Sequence, residues 1–167
     1  MVIIYLDFDG VLHHYDVYLD QRNRAVLRGM GTLFEYASRL QSILTPYPDI
    51  KIVLSTSWVR VKGFRYAAER LPEGLRSRII GATWHSKMAE DDELLFWWLN
   101  HSTRYQQIVR DVRHRMPEDW LALDDDAEGW PAEAKRHLIT CNPILGLSEP
   151  DVRMALEHRL ARMSKNR

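Results

Sequence analysis

Apolar residues come in short runs separated by polar clusters. The chain opens on Val2-Ile3-Ile4-Tyr5-Leu6, a continuous run rich in β-branched residues and the pattern of a strand buried on both faces. A second run covers 50–54, and weaker ones cover 79–83, 120–123 and 137–141. Between them the period lengthens. Leu33, Ala37, Leu40 and Leu44 share one face and predict a helix over 32–45, with Thr32 as N-cap and Glu35 three residues on. Phe64, Ala67, Ala68 and Leu71 predict a helix closed by Pro72 and Gly74. Tyr105, Ile108, Val109, Val112 and Met116 predict one over 103–116, capped by Ser102 or His101. Val152, Leu156, Leu160 and Met163 predict a last helix, capped by Ser148.

Two stretches follow no clean period. Residues 13–31 are polar and read as a loop or irregular hairpin, with His13 and His14 solvated. Residues 84–100 hold Glu90-Asp91-Asp92-Glu93, read as a solvated face, then Leu94-Leu95-Phe96-Trp97-Trp98-Leu99, read as a buried helix or ordered loop.

Strands alternating with helices specify an α/β fold: a three-layer, doubly wound parallel sheet with right-handed crossovers. At 167 residues the chain suits one domain, 1–167, with a sizeable core and no room for a substantial cap. Each polar cluster follows a strand, so the clusters gather at the carboxyl edge of the sheet, where open α/β folds bind ligands.

Charge and cysteine content narrow the picture further. Lysine plus arginine equals aspartate plus glutamate, 23 each, so no global charge argues for nucleic acid or a membrane surface. The basic face of the last helix reads as solvated. One cysteine, Cys141, excludes an internal disulfide and a multi-cysteine zinc site. No apolar run approaches the roughly 20 residues that span a bilayer, and Asp7 and Asp9 interrupt the N-terminal run, so it is not read as a signal peptide. The expected compartment is the cytoplasm.

The candidate chemistry begins where the first strand stops, at Asp7-Phe8-Asp9-Gly10. Two carboxylates this close repel unless a cation joins them or one is protonated. Mg²⁺ takes oxygen ligands and usually brings a phosphate with it. One carboxylate can then attack phosphorus, while the other, protonated, supplies the leaving oxygen with its proton and later deprotonates water. Ser55, Thr56 and Ser57 follow the second strand as hydroxyl donors for phosphate oxygens. Asp124-Asp125-Asp126 follows Leu121-Ala122-Leu123 as a second carboxylate group for a metal.

Asp7-Phe8-Asp9-Gly10-Val11-Leu12 closely resembles the first motif of the haloacid-dehalogenase (HAD) superfamily, mainly Mg²⁺-dependent phosphatases and phosphotransferases. The resemblance implies that Asp7 is the nucleophile and Asp9 the general acid/base, whose backbone carbonyl also binds Mg²⁺. It implies that Ser55, or Thr56 or Ser57 in its place, contacts phosphate, and that Asp124 and Asp125 bind the metal. The third motif is one cation. Arg104, at the start of the helix before the fourth strand, is the expected one, with Lys87 as rival and Arg110 deeper in the same helix. Together with Val53-Leu54-Ser55-Thr56-Ser57-Trp58, the Arg104-Tyr105-Gln106-Gln107-Ile108 helix and Gly146-Leu147-Ser148, these motifs resemble a small capless bacterial HAD family whose relatives are sometimes fused to RNA-repair or helix-turn-helix modules. That family carries arginine directly after the tryptophan; here Val59 intervenes and Arg60 follows.

The expected activity is therefore hydrolysis of phosphomonoesters through an aspartyl-phosphate, with Mg²⁺ as cofactor. The substrate is a small molecule, a nucleic-acid end or a phosphoprotein. Trp58, Trp84, Trp97 and Trp98 are read as core sooner than as base-stacking residues. Two other readings compete: a non-catalytic phosphate-binding module on the same scaffold, and a receiver-like signalling domain. The second fits poorly, because its phosphorylated Asp belongs on a central strand with the acidic pair on the first.

Overall fold

The computed structural model describes residues 1–85 and 92–165. Five strands form one parallel sheet: β1 (Val2–Leu6), β4 (Lys51–Leu54), β5 (Ile79–Ala82), β6 (Asp119–Asp124) and β7 (Leu138–Thr140), in the order β5-β4-β1-β6-β7. The chain leaves β1 toward one edge through β4 and β5, then returns to the other side through β6 and β7. The order reverses beside β1, so the crevice of the doubly wound sheet opens at its carboxyl end.

Every residue of β1 is buried, as its unbroken apolar run requires. Side chains alternate between two cores. Val2, Ile4 and Leu6, with Ile52, Leu54, Leu121 and Leu123, pack against α1 (Ala37–Leu44) and α7 (Pro150–Lys165). Ile3 and Tyr5, with Val53 and Ala122, face Ile108 of α6 (Arg104–Arg115) and Ala134 of a 3-10 segment, Ala132–His137. The helices on both faces complete the three layers. No large cap is present among the described residues. Residues 13–31 contribute only a small antiparallel hairpin, β2 (Val17–Leu19) with β3 (Ala25–Leu27).

Several elements differ from the sequence pattern. The helix expected from Thr32 starts only at Ala37, and no Thr32 cap forms. Phe34 takes a left-handed φ of 62°, and its ring packs against Phe8, His13 and Trp58. That packing outweighs the capping pattern. The segment after β4 is two helices, α2 (Ser57–Lys62) and α3 (Phe64–Glu69), broken by Gly63 at φ 92°; α4 (Glu73–Arg76) follows. Thr103, in place of Ser102 or His101, caps α6 in a capping box with Gln106. Helix α5 (Glu93–His101) is capped by Asp92, and only part of its apolar run is buried: Leu99 is enclosed, while Leu94, Phe96 and Trp97 are exposed. The Ser148 hydroxyl donates back to the Leu145 carbonyl. Among the described residues, no helix is long and apolar enough to cross a membrane.

Candidate active site

Register alone brings the site together. Leu6 pairs with Leu54 on one side and Leu123 on the other, so the residues that follow, Asp7, Ser55 and Asp124, stand abreast at the carboxyl edge. The Asp7 N–H donates to the Leu123 carbonyl and the Ser55 N–H to that of Leu6, extending the ladder into the site. Asp7, Asp124 and Asp125 then offer carboxylate oxygens that all lie within 4.8 Å of one another. Gly10, at φ 70°, permits the close approach of Asp125, whose carboxylate a Cβ at that position would strike. Gly146 serves the same loop from behind: Leu147 donates its N–H to the Val11 carbonyl, and a Cβ on Gly146 would collide with that oxygen.

Arg104 is the cation of this cluster. Its Nη2 lies 3.5 Å from Asp7 Oδ2 and its Nε 3.2 Å from Asp124 Oδ2. The first residue of α6 thus reaches the Asp7 carboxylate. Lys87, the rival, lies outside the described residues. Arg110 sits beside the Trp98 ring instead.

One arginine does not neutralise three acids, two of them, Asp7 and Asp124, buried and Asp125 partly so. Burial, then repulsion from Asp7, pushes Asp124 up to about 8. The same two causes push Asp125 up to about 6. Burial also raises Asp7, opposed by Arg104 and reinforced by Asp9. Arg104 is held more firmly protonated, since the attraction of Asp7 and Asp124 outweighs the burial that disfavours its charge. Oxygens this close, from acids this reluctant to ionise, could hold a metal ion.

Asp9 lives in a different environment. The bonds from Leu12 N–H and Val11 N–H to the Phe8 carbonyl close a helical turn that carries His13 over Asp9. The ring is completely buried, not solvated as the sequence suggests. His13 Nδ1 accepts from the Phe34 N–H, which leaves Nε2–H to donate to Asp9 Oδ1 at 3.0 Å. The Trp58 indole N–H donates to the same oxygen at 2.8 Å. Two donors converge on Oδ1 and orient the carboxyl. Thus Trp58 belongs to the core and to the site at once. The signals in the sequence were a histidine four residues after Asp9 and an indole just past the second motif.

The hydroxyls after β4 divide. Thr56 bonds the Asp7 carboxylate and accepts from the Trp58 N–H at 3.4 Å. Ser55 Oγ is buried with no partner, a donor awaiting an acceptor. Ser57 turns into α2 and lines a polar cavity of about 260 Å³ with Thr56, Arg60, Trp84, Arg104 and Gln107. Arg60 therefore borders the site despite its one-residue offset.

A doubly wound parallel sheet with an Asp-x-Asp turn after its central first strand, a hydroxyl after the second and an aspartate pair at the end of the fourth defines the HAD class. Residues 3–152 match the HAD domain in Swiss Army Knife RNA repair proteins. The chain belongs to that family. No curated protein and no solved structure matches it.

Proposed function

We propose that the chain is a Mg²⁺-dependent phosphomonoesterase that works through an aspartyl-phosphate on Asp7. The observation carrying this reading is the separation of two carboxylates two residues apart. Asp7 sits in the Asp124–Asp125 cluster beside Arg104, whereas Asp9 is held outside it by His13 and Trp58. Such paired acids in unlike surroundings divide into nucleophile and proton shuttle.

Asp7, Asp124, Asp125 and the backbone carbonyl of Asp9 would hold the metal, which supplies positive charge that keeps Asp7 ionised and its phosphoryl partner close. An Asp7 oxygen attacks phosphorus as the ester P–O bond breaks, and Asp9 gives its proton to the leaving oxygen. Asp9, now a carboxylate, takes a proton from water, which attacks the same phosphorus. The bond to Asp7 breaks and inorganic phosphate leaves. Ser55, Thr56 and Arg104 hold the phosphoryl oxygens throughout.

The family's name supports a nucleotide or nucleic-acid end as the phosphorylated substrate. A single buried cysteine suits the cytoplasm, and the chain is read as one domain over 1–167. Phosphate release from p-nitrophenyl phosphate, with and without Mg²⁺, tests the activity beside Asp7→Asn. Mg²⁺-dependent turnover lost in the variant supports the mechanism. Equal turnover by both proteins overturns it. Tight phosphate binding without turnover by either would favour the non-catalytic reading.

A further inference from the structure

A second concavity adjoins the site, and its chemistry differs. A groove of about 220 Å³ runs between the β2–β3 hairpin and α2, with Asp9 at its inner end. Its walls are Val17, Leu19 and Ala25 from the hairpin and Val61 from α2, and Trp58 lies beneath. Leu19, Tyr18 and Val61 are exposed, so apolar surface that did not enter the core is gathered beside a catalytic carboxyl. The hairpin is tied to α2 by Lys62 Nζ donating to the Asn23 carbonyl at 2.6 Å, which holds the walls apart at a set width. Ser57 lines both this groove and the polar cavity of Thr56 and Arg104. The two are neighbouring compartments of one site.

In-line attack decides which part of the substrate enters which compartment. The phosphoryl group goes where Thr56, Arg104 and the Asp7 cluster converge. The leaving oxygen lies opposite the attacking Asp7 oxygen and within reach of the Asp9 proton. Whatever that oxygen carries must therefore extend past Asp9, into the apolar groove. The groove is smaller than the roughly 300–1,000 Å³ of drug-sized pockets, and so suits one ring system and not a polymer. Lys62 stands in the lining, and Arg28, stacked on Tyr18 at 4.2 Å, belongs to the same hairpin wall, adding positive charge for an anionic substrate.

We propose that this groove is a leaving-group subsite that seats the base of a nucleoside whose phosphate is hydrolysed at Asp7. The proposal rests on the phosphomonoesterase reading and names its specificity element. The enzyme then selects by the ring carried on the leaving oxygen, with Val61 and Leu19 as the selecting residues.

The test compares adenosine monophosphates, phosphorylated at O5′ or O3′, with glycerol 2-phosphate, which has no ring, in wild type, Val61→Asp and Leu19→Ser. Both side chains are exposed, so neither change disturbs the core. The wild-type ratio of kcat/KM, nucleotide over glycerol phosphate, is expected to exceed about tenfold. Each variant should lower that ratio by about tenfold, through a raised KM for the nucleotide. A wild-type ratio near one, or a ratio unmoved by both variants, overturns the subsite while the phosphatase reading stands. Should no phosphomonoester be turned over, that reading fails, and the groove is judged by binding of adenosine against ribose, followed through the fluorescence of Trp58 at its floor. Adenosine binding weakened by Val61→Asp supports the groove, and no preference for adenosine over ribose overturns it.

Discussion

Two groups of acid meet arginines at opposite ends of α6 and are treated in opposite ways. Asp111, near the end of α6, is 6% exposed; its Oδ2 accepts from the Tyr5 hydroxyl at 2.9 Å and from Arg115 Nε at 2.8 Å. Burial and the Asp111 charge raise the Tyr5 hydroxyl far above its usual range, so it remains a donor. At the start of α6, Arg104 faces three carboxylates. A cation in the first turn of a helix opposes the macrodipole, whereas Arg113 and Arg115 in the last turn complement it. The Asp111 group is saturated and stabilises the fold. The Asp7 group is left short of positive charge, a cost to stability that is compatible with an active site.

The largest effect that can break this comparison is on turnover. Under the proposed mechanism, Asp7→Asn lowers kcat by at least about 10⁴-fold with the fold intact, because the attacking carboxylate is lost. Arg104→Ala follows, at about 10²–10³-fold, as a donor to the phosphoryl oxygens disappears. Asp111→Ala should do the reverse. It removes the partner of the buried Tyr5 hydroxyl and of the partly exposed Arg115, and destabilises the protein by about 2–3 kcal/mol in urea titration, with kcat per folded molecule retained. If Asp111→Ala abolished turnover without loss of stability, the division between the two acid groups would be wrong.

A finer effect probes how Asp9 is held. Trp58→Phe keeps most of the ring contacts with Phe8 and Phe34 but removes one donor to Asp9 Oδ1. About a tenfold loss in kcat is expected. The loss should be larger for alkyl phosphates than for p-nitrophenyl phosphate, whose leaving oxygen needs little help from an acid. An equal loss on both substrates would assign Trp58 to packing alone.

The acid clusters were readable in the sequence because each ends an apolar strand, and register then had to bring them abreast. The supports of Asp9 were not readable in this way. His13 reaches its carboxylate only because a helical turn closes over Phe8, and Phe34 donates to His13 only from a left-handed backbone that cuts short the periodic helix. Both are tertiary outcomes with no repeating signal. The run Leu94 to Leu99, read as a buried helix or ordered loop, is a helix, but an unbroken apolar run carries no record of which face will find a partner, and only Leu99 is enclosed. Of the hydroxyls at 55–57, Thr56 bonds the Asp7 carboxylate, and Ser55 Oγ is buried without a partner, neither of which the strand pattern indicates.

The smallest effect gives the sharpest sign. In metal-free protein, Asp124 and Asp125 titrate near 8 and 6, above the roughly 4 of an unfolded chain. The folded state thus binds protons more tightly than the unfolded state. Stability should rise as pH falls from about 8.5 through 8 and then 6, and be lowest once both groups are ionised. Mg²⁺ binds the ionised form, so the gain in Tm on adding it should be larger at pH 8 than at pH 5.5. Asp125→Asn should flatten the lower part of the pH dependence and shrink the Mg²⁺ response, whereas Asp111→Ala lowers Tm at both pH values and leaves the Mg²⁺ increment in place. A chelator-treated protein whose Tm climbed from pH 5.5 to 8 would mean that the Asp7 cluster is already compensated, like Asp111, and has no need of a cation.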